Sequence, residues 1–203
     1  MTVTHDAERH RAKMAARKEA QERKLAGKVV EARGLLMVHT GTGKGKSCAA
    51  FGLVLRALGH GWRCAVVQFG KGSWESGERA ALSRFSDLCE VHALGEGFTW
   101  ETQDRARDEA AAQAAFDKAL DLMADASLRL LVLDELNISL RYEHLPLERV
   151  LAALRGRGEN LNVVVTGRNA KPELIEAADL VTEMTLVKHH FSAGVRAQKG
   201  IEF

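Results

Sequence analysis

The sequence predicts an α/β fold, a mainly parallel sheet with helices on both faces. Short apolar runs of strand length recur along the chain, and most of the intervals between them carry a helical pattern. Strands that alternate with helices pair in parallel, because each helix returns the chain to the starting end of the sheet. One interval also contains a glycine-rich loop that joins an apolar run directly to a helix. We see no internal repeat and no low-complexity linker, so we expect one such domain over residues 34–203.

Six apolar runs are the expected strands, and all six are predicted to be buried in the sheet. They cover residues 35–39, 63–69, 88–94, 128–134, 162–167 and 180–184. Helical patterns lie between most of them, and the two clearest cover 47–59 and 101–126. The chain has two prolines, Pro146 and Pro172, and each stands where a helix could begin.

Composition excludes several classes of protein. With 203 residues, 46% of them hydrophobic and 28% charged, the chain has the length and balance of one globular domain. No apolar run approaches the roughly 20 residues of a membrane-spanning helix, and the N-terminal residues lack the apolar core of a secretory signal. Cys48, Cys64 and Cys89 form no CxxC pair and suit a reducing compartment. We therefore expect a cytoplasmic protein with no membrane partner.

The positive charge is concentrated at the N-terminus. Residues 1–33 contain nine Lys or Arg against five acidic residues, a net +4, although the whole chain carries only +2. Nucleic-acid-binding proteins usually carry a basic face on the folded body, and this distribution does not favour one. We expect residues 1–33 to form a solvated, helical and partly flexible arm, and we expect no nucleic-acid partner.

The glycine-rich loop has the pattern of a Walker A phosphate-binding loop. The first expected strand leads into TGTGKGKS (40–47), and a helix follows at once, which is the context that a P-loop requires. The loop N–H groups and the positive end of the helix would point at phosphate oxygens. Lys46 would bridge phosphates, and the Ser47 hydroxyl would reach Mg²⁺. Thr40 replaces the first glycine of the usual signature. We therefore expect a P-loop NTPase-like (RecA-like) domain with a variant loop.

Charged residues at the ends of two later strands are predicted to reach the same edge of the sheet. LRLLVLDE (128–135) ends in Asp134 and Glu135. One carboxylate would bind Mg²⁺ directly or through water, and the other would orient a water or a ribose hydroxyl. Arg168 directly follows a later strand, and Arg56 lies on the helix after the P-loop. Either arginine could clamp phosphate or stack on a base.

These residues predict a Mg²⁺–ATP site but leave the reaction open, because many activities share such a site. Three classes compete. They are a kinase or another phosphoryl transferase, a RecA-like nucleic-acid-dependent ATPase, and a transferase that uses another part of ATP. A kinase usually carries a mobile, arginine-bearing lid, and a motor usually carries a basic channel. Neither pattern is clear in the sequence.

Several stretches, taken in order, resemble one family. They are TGTGKGKSCAAFG, RALGHGW, VVQFGKGSWESGE, GEGFTWET, LDELNISL, VTGRNA, ADLVTEM and KHHFSAGVRAQKGIEF. Together they are similar to the P-loop class of corrinoid adenosyltransferases, the ATP:cob(I)alamin adenosyltransferases, from about residue 24 to Phe203. The resemblance implies that the 5′-deoxyadenosyl group of ATP moves to the cobalt(I) of cobalamin or another corrinoid, with release of inorganic triphosphate. Cobalt(I) is the nucleophile, so the protein need not supply one.

The resemblance also implies roles for individual residues. The loop and further positions that match the family near the nucleotide would hold ATP, in a direction reversed from that in ordinary P-loop enzymes. These residues are Gly41, Thr42, Gly43, Lys44, Gly45, Lys46, Ser47, Cys48, Arg56, Glu135 and Arg168. Ser47 and Glu135 would carry Mg²⁺. Thr42, Cys48 and Gly70 depart from the commoner family pattern without removing a charged group.

The aromatic pair in GEGFTWET (95–102) gains a role from the same resemblance. Phe98 and Trp100 stand two apart, so an extended segment would place both rings on one side. The resemblance implies that they lie on the lower face of the corrin ring and keep the axial ligand off cobalt(II), which makes it easier to reduce. With Lys46, they are the expected catalytic residues. The resemblance also implies a homodimer and an electron donor such as a reduced flavoprotein.

The histidines are weaker candidates for functional residues. KHH (188–190) suggests a metal site, but adjacent histidines on a strand would point to opposite faces. We expect these residues to be surface or corrinoid-contact residues. His39 and His60 are expected to be packing or turn residues.

Overall fold

The computed structural model describes residues 2–28, 33–70, 76–94 and 104–202. The chain divides into two compact units, Met1–Ala32 and Arg33–Phe203. The first unit contains helix α1 (Thr2–Ala26), which is exposed from residue 6 onward. None of the helices in the described ranges is long and apolar enough to cross a membrane.

The second unit contains the sheet and the helices around it. Its strands are β1 (Leu36–Thr40), β2 (Arg63–Gln68), β3 (Cys89–Ala93), β4 (Leu128–Asp134), β5 (Asn162–Thr166) and β6 (Leu180–Glu183). Its helices are α2 (Lys46–Gly59), α3 (Gly77–Leu82), α4 (Arg105–Ala124), α5 (Leu136–Arg141), α6 (Leu147–Arg155) and α7 (Pro172–Ala177). Two 3₁₀ turns cover Ser83–Phe85 and His190–Ala193.

The strands of the described residues form one parallel sheet in the order β3-β2-β4-β5-β1-β6. Every predicted strand is found, and each of its ends lies within one residue of the predicted position. Pro172 begins α7, and Pro146 directly precedes α6, as their positions suggested. The predicted α/β P-loop fold is therefore confirmed.

The sheet is covered on both faces, because alternate strand residues pack into two different hydrophobic clusters. In β4, Leu131 and Leu133 pack in a cluster that includes Phe116 of α4. Leu130 and Val132 point the other way and pack in a cluster that includes residues of α2. All four strand residues are at most 3% exposed. A parallel strand between two helical layers needs apolar residues on both of its faces, as the sequence of β4 provides.

The outermost strand corrects one expectation. The sequence predicts a buried strand at 180–184, but all four residues of β6 are exposed, with Leu180 at 48%. β6 pairs with β1 on one side and forms an edge of the sheet. Its apolar residues resemble those of an inner strand, and a local pattern does not reveal which strand is outermost.

The carboxyl ends of the strands place the functional residues. Thr40, Asp134 and Thr166 are the last residues of three neighbouring strands, β1, β4 and β5. Because these strands are parallel, the loops that follow them meet at one edge of the sheet. The glycine-rich loop is one of them, so this edge contains the candidate site.

Candidate nucleotide-binding site

The glycine-rich loop adopts a backbone that requires glycine. Gly41 and Gly45 have φ values of +95° and +104°, in the left-handed region that residues with a Cβ rarely adopt. A Cβ on Gly41 would also lie 2.5 Å from the carbonyl oxygen of Met184. The N–H of Gly43 donates to this same oxygen at 2.6 Å. The loop is therefore pressed against the segment that follows β6.

Lys46 is the first residue of α2 and lies folded over the loop. It is only 7% exposed, and its Nζ donates to the carbonyl oxygens of Gly41 at 3.0 Å and Gly43 at 2.6 Å. These two carbonyls hold the ammonium group on the inner side of the loop. Phosphate oxygens could replace them as acceptors, which is the role predicted for this lysine.

Three further charged side chains act on Lys46. Burial lowers the pKa of Lys46, the negative charge of Glu135 opposes this shift, and the positive charges of Arg168 and Lys44 add to it. Charges influence a buried group in this way only when they are near it. Three of the predicted site residues, Glu135, Arg168 and Lys44, thus exert their charge on a fourth, Lys46.

Thr40 departs from the usual loop signature for a reason that the structure shows. It is buried at the end of β1, and its Oγ1 accepts a hydrogen bond from the backbone N–H of Ala170 at 3.1 Å. Glycine could not make this bond. Thr40 therefore links the start of the P-loop to the loop after β5. That second loop contains Arg168.

The two acidic residues after β4 have different environments. Asp134 is fully buried, and its carboxylate accepts from the Thr166 hydroxyl at 2.8 Å and from Gln68 Nε2 at 3.1 Å. The N–H of Glu135 donates to the same Thr166 oxygen at 2.9 Å. Glu135 Oε2 lies 3.2 Å from the position that a Cβ on Gly167 would occupy. Asp134 is therefore held inside the fold, and Glu135 is the carboxylate that faces the loops.

Ser47, Cys48 and Arg56 lie along α2. Ser47 is half-buried and Cys48 is exposed, both in the first turn beside the P-loop. Arg56 is exposed in the last turn of the helix. It follows Lys46 by ten residues, which corresponds to roughly 15 Å along the helix axis. The structure therefore does not bring Arg56 to the cluster around Lys46.

Sequence reasoning missed three polar residues at this edge. Thr166, Gln68 and Asn137 are each at most 1% exposed, and the first two hold Asp134. Asn137 donates to the carbonyl oxygen of Gly167 at 3.0 Å and so supports the turn before Arg168. The available signal was a polar residue at the end of an apolar run, which is present in both VVQ and VVVT.

Some predicted residues lie elsewhere. Phe98 and Trp100 lie outside the described residues. KHH (188–190) does not lie in a strand; Lys188 is exposed and both histidines are half-buried. His190 begins a 3₁₀ turn, and the ring centroids of His189 and His190 are 4.7 Å apart, so the rings do not point to opposite faces. His39 is buried, with Nδ1 3.3 Å from the carbonyl oxygen of Lys46.

Comparison with known proteins agrees with this geometry. The sequence model of the family described as ATP:corrinoid adenosyltransferase BtuR/CobO/CobP matches residues 32–203. A corrinoid adenosyltransferase of Pseudomonas aeruginosa is 55% identical over 196 residues, 97% of this chain and 96% of the relative. One of Sinorhizobium sp is 51% identical over 200 residues, 98% and 93% of the two chains. One of Escherichia coli strain K12 is 43% identical over 190 residues, 92% and 96% of the two chains.

These similarities extend over the whole sheet and the candidate site. They confirm the predicted enzyme class, a transferase that uses ATP and a corrinoid, and they do not favour the kinase or the nucleic-acid-dependent ATPase. The chain belongs to the ATP:corrinoid adenosyltransferase family BtuR/CobO/CobP.

Proposed function

We propose that this chain transfers the 5′-deoxyadenosyl group of ATP to the cobalt(I) of a reduced corrinoid and releases inorganic triphosphate. Cobalt(I) supplies the electron pair for the new bond to C5′, and the C5′–O bond breaks with its pair on the triphosphate. The observation that carries the proposal is the buried Lys46, folded over the P-loop with Lys44 and Arg168 near it. Positive charge at this place would stabilise a triphosphate as it leaves.

ATP must lie in the loop with its ribose toward the corrinoid, because the attack takes place at C5′. The triphosphate would then extend along the P-loop, in the reversed direction that the family resemblance implies. The proposed ligands are residues 41–48, Glu135 and Arg168. Arg56 remains a proposed contact because of the family match, although the helix separates it from Lys46.

The side chains at the carboxyl end of the sheet suit Mg²⁺ as a cofactor. The Ser47 hydroxyl and the Glu135 carboxylate are hard oxygen donors, and Mg²⁺ is usually held by one or two such groups together with phosphates. Gln68 Oε1 is buried without a hydrogen-bond partner in the described part of the chain, so it could accept from a water on the metal. Asp134 fits the role of metal ligand less well than Glu135, because it is fully buried and each of its carboxylate oxygens already accepts a hydrogen bond from the protein. Bound Mg²⁺ would neutralise phosphate charge.

Phe98 and Trp100 are proposed to exclude the axial ligand of cobalt(II). The segment that contains them runs from the end of β3 at Ala93 to the start of α4 at Arg105. Its first end therefore lies at the carboxyl edge of the parallel sheet, where the P-loop also lies. An apolar pair suits this role, because a polar side chain could itself bind the cobalt.

The double substitution Phe98→Ala with Trp100→Ala tests this role. We expect it to abolish adenosylation from cob(II)alamin with a reductant while ATP binding stays intact. Activity from chemically prepared cob(I)alamin should be retained in larger part, because that substrate is already reduced. Full activity of the variant from cob(II)alamin would show that the two rings do not act on the cobalt.

Two further partners are proposed on the strength of the family resemblance. We propose that the enzyme is a homodimer that receives electrons from a reduced flavoprotein or similar donor. A cytoplasmic location is supported by the three cysteines, which are free thiols in the structure. Sedimentation equilibrium would give the mass of the assembly, and a mass of one chain would contradict the dimer.

The reaction itself is tested by its corrinoid product. ATP, Mg²⁺ and cob(I)alamin should give a product whose visible spectrum reverts on exposure to light, as expected for a cobalt–carbon bond. Lys46→Ala is the matched negative control, because it removes the buried ammonium of the loop. ADP formation without a light-sensitive product would favour a kinase, and hydrolysis stimulated by single-stranded nucleic acid would favour the ATPase.

A further inference from the structure

The segment after β6, residues 184–202, contacts the P-loop at two separate points, and we call it the C-terminal strap. At its start, the carbonyl oxygen of Met184 accepts from Gly43 N–H at 2.6 Å. At its end, the Glu202 carboxylate accepts from Lys44 Nζ at 2.5 Å. The two contacts hold consecutive residues of the loop, so the strap restrains the loop where ATP is proposed to bind.

Glu202 lies between two basic side chains. Its Oε2 pairs with Lys44, and its Oε1 lies 2.6 Å from His190 Nε2 within the same strap. The Glu202 side chain is 16% exposed, whereas that of Lys44 is 58% exposed. The hydrogen bond from Lys44 holds the pKa of Glu202 below its usual range; burial acts against this shift, and the charge of Lys44 adds to it. The carboxylate is therefore ionised and paired with Lys44.

This arrangement creates a competition for one cation. Lys44 is one of the charged residues proposed to hold the triphosphate, yet here its charge is already neutralised by Glu202. A carboxylate beside a triphosphate site also repels the ligand directly. Lys44 has three donors, but it cannot remain in this close pair and also turn its ammonium fully toward the loop interior.

We propose that Glu202 is a positioning residue that acts through Lys44, holding it on the strap before ATP binds and competing with triphosphate for it. The inference rests on the proposed function, since it takes Lys44 as a triphosphate ligand. ATP then has to displace Glu202 from Lys44 when it binds. After adenosyl transfer, Glu202 recaptures Lys44 and so helps the highly charged triphosphate to leave.

The decisive variant is Glu202→Gln, which keeps the size of the side chain and removes its charge. Calorimetric titration with Mg²⁺–tripolyphosphate and with Mg²⁺–ATP should show binding tighter than that of the wild type by about fivefold, the size expected for a partly exposed ion pair. Turnover limited by product release should slow, so that KM and kcat fall together. Glu202→Asp, which keeps the charge with a shorter reach, should give intermediate affinity.

Two controls separate the proposed role from other effects. Glu159→Gln removes one negative charge from the exposed loop before β5. This loop lies at the amino ends of the strands, away from the P-loop, so tripolyphosphate affinity should be unchanged. In a Lys44→Gln background, Glu202→Gln should tighten tripolyphosphate binding much less, because the ammonium group for which Glu202 and triphosphate compete is absent.

The outcomes are distinct. Unchanged or weaker tripolyphosphate binding by Glu202→Gln, with tight binding by the wild type, would overturn the competition and leave the proposed function standing. An equal gain in the Lys44→Gln background would also overturn it, since Glu202 would then act by repulsion alone. A wild-type enzyme that binds no tripolyphosphate would overturn both this inference and the proposed role of the loop.

Discussion

Thr166 connects the two acidic residues that follow each other at the end of β4. Its hydroxyl donates to Asp134 and accepts from the backbone N–H of Glu135, so one side chain holds both. Glu135 has a φ of 64°, a left-handed conformation that is uncommon for a residue with a Cβ. The hydrogen bond to Thr166 helps to keep it there. Thr166 therefore supports the proposed metal ligand without being one.

The substitution Thr166→Val should damage both stability and Mg²⁺-dependent binding. The buried Asp134 would lose one of its two side-chain donors, which should lower the free energy of unfolding by about 1–3 kcal/mol. Affinity for ATP in the presence of Mg²⁺ should fall about tenfold or more, as is usual when a residue supporting a metal ligand is lost. Urea unfolding and titration with and without Mg²⁺ measure the two effects. Thr166→Ser keeps both hydrogen bonds and should behave as the wild type. A valine variant that binds Mg²⁺–ATP normally would contradict this role.

Asp179 ties together the starts of β1 and β6. Its carboxylate accepts from Arg33 at 2.6 Å and from the Leu36 N–H at 2.8 Å, and Arg157 lies 3.6 Å away. The hydrogen bond from Arg33 is the largest cause that lowers the pKa of Asp179, with further help from Leu36 and both guanidinium charges. A carboxyl group whose pKa is lower in the folded than in the unfolded protein stabilises the fold at every pH above its unfolded-state pKa. This stabilisation is lost as the pH falls through its folded-state pKa.

Asp179→Asn should therefore cost stability at neutral pH and less in acid. We expect a loss of about 1–3 kcal/mol in the free energy of unfolding near pH 7, where the wild-type carboxylate is ionised. The difference between variant and wild type should shrink as the pH falls below about 4, the usual carboxyl range. Urea unfolding at several pH values measures it. A deficit that stays constant down to the acid limit would contradict the assigned ionic role.

At the scale of elements, the cysteines test how β2 and β3 are packed. Cys64 and Cys89 are register partners on these strands and are 1% and 5% exposed. Burial raises the pKa of Cys64 to about 12 and that of Cys89 to about 11. Cys48 on α2 is exposed. We expect one thiol per chain to react with Ellman's reagent in the native protein and three after unfolding. Cys48→Ser should abolish the native reaction, and rapid reaction of three native thiols would contradict the packing.

The strands were predictable because their signal is local. Runs such as LRLLVLD and NVVVT are typical of strands buried on both faces of a parallel sheet, and their ends fall where the sequence indicates. The loop from Gly41 to Ser47 was predictable for the same reason, since its chemistry is contained in consecutive residues. Edge position was not predictable, because the exposed β6 has the composition of an inner strand.

The rest of the site depends on contacts between distant parts of the chain. The pair of Lys44 with Glu202 joins residues 158 positions apart, and the bond of Thr40 with Ala170 joins residues 130 apart. No local pattern indicates such pairs. The division of roles between Asp134 and Glu135 also depends on neighbouring strands, which supply the partners of the buried carboxylate.

At the scale of the whole molecule, one end of the parallel sheet brings the charged residues of the site together. Neighbouring strands place the P-loop, the acidic pair and the arginine loop together, and the strap contacts the P-loop at Gly43 and Lys44. Such a site is suited to holding a triphosphate in a fixed position while the reaction takes place at its far end. The central claim is that the triphosphate departs intact from this loop.

Phosphorus NMR during adenosylation tests that claim most directly. With Mg²⁺–ATP and cob(I)alamin, the wild-type enzyme should release one inorganic triphosphate for each cobalt–carbon bond formed, with no ADP, and Lys46→Ala should release none. Appearance of ADP with phosphate, or of pyrophosphate with phosphate in step with the corrinoid product, would contradict the account.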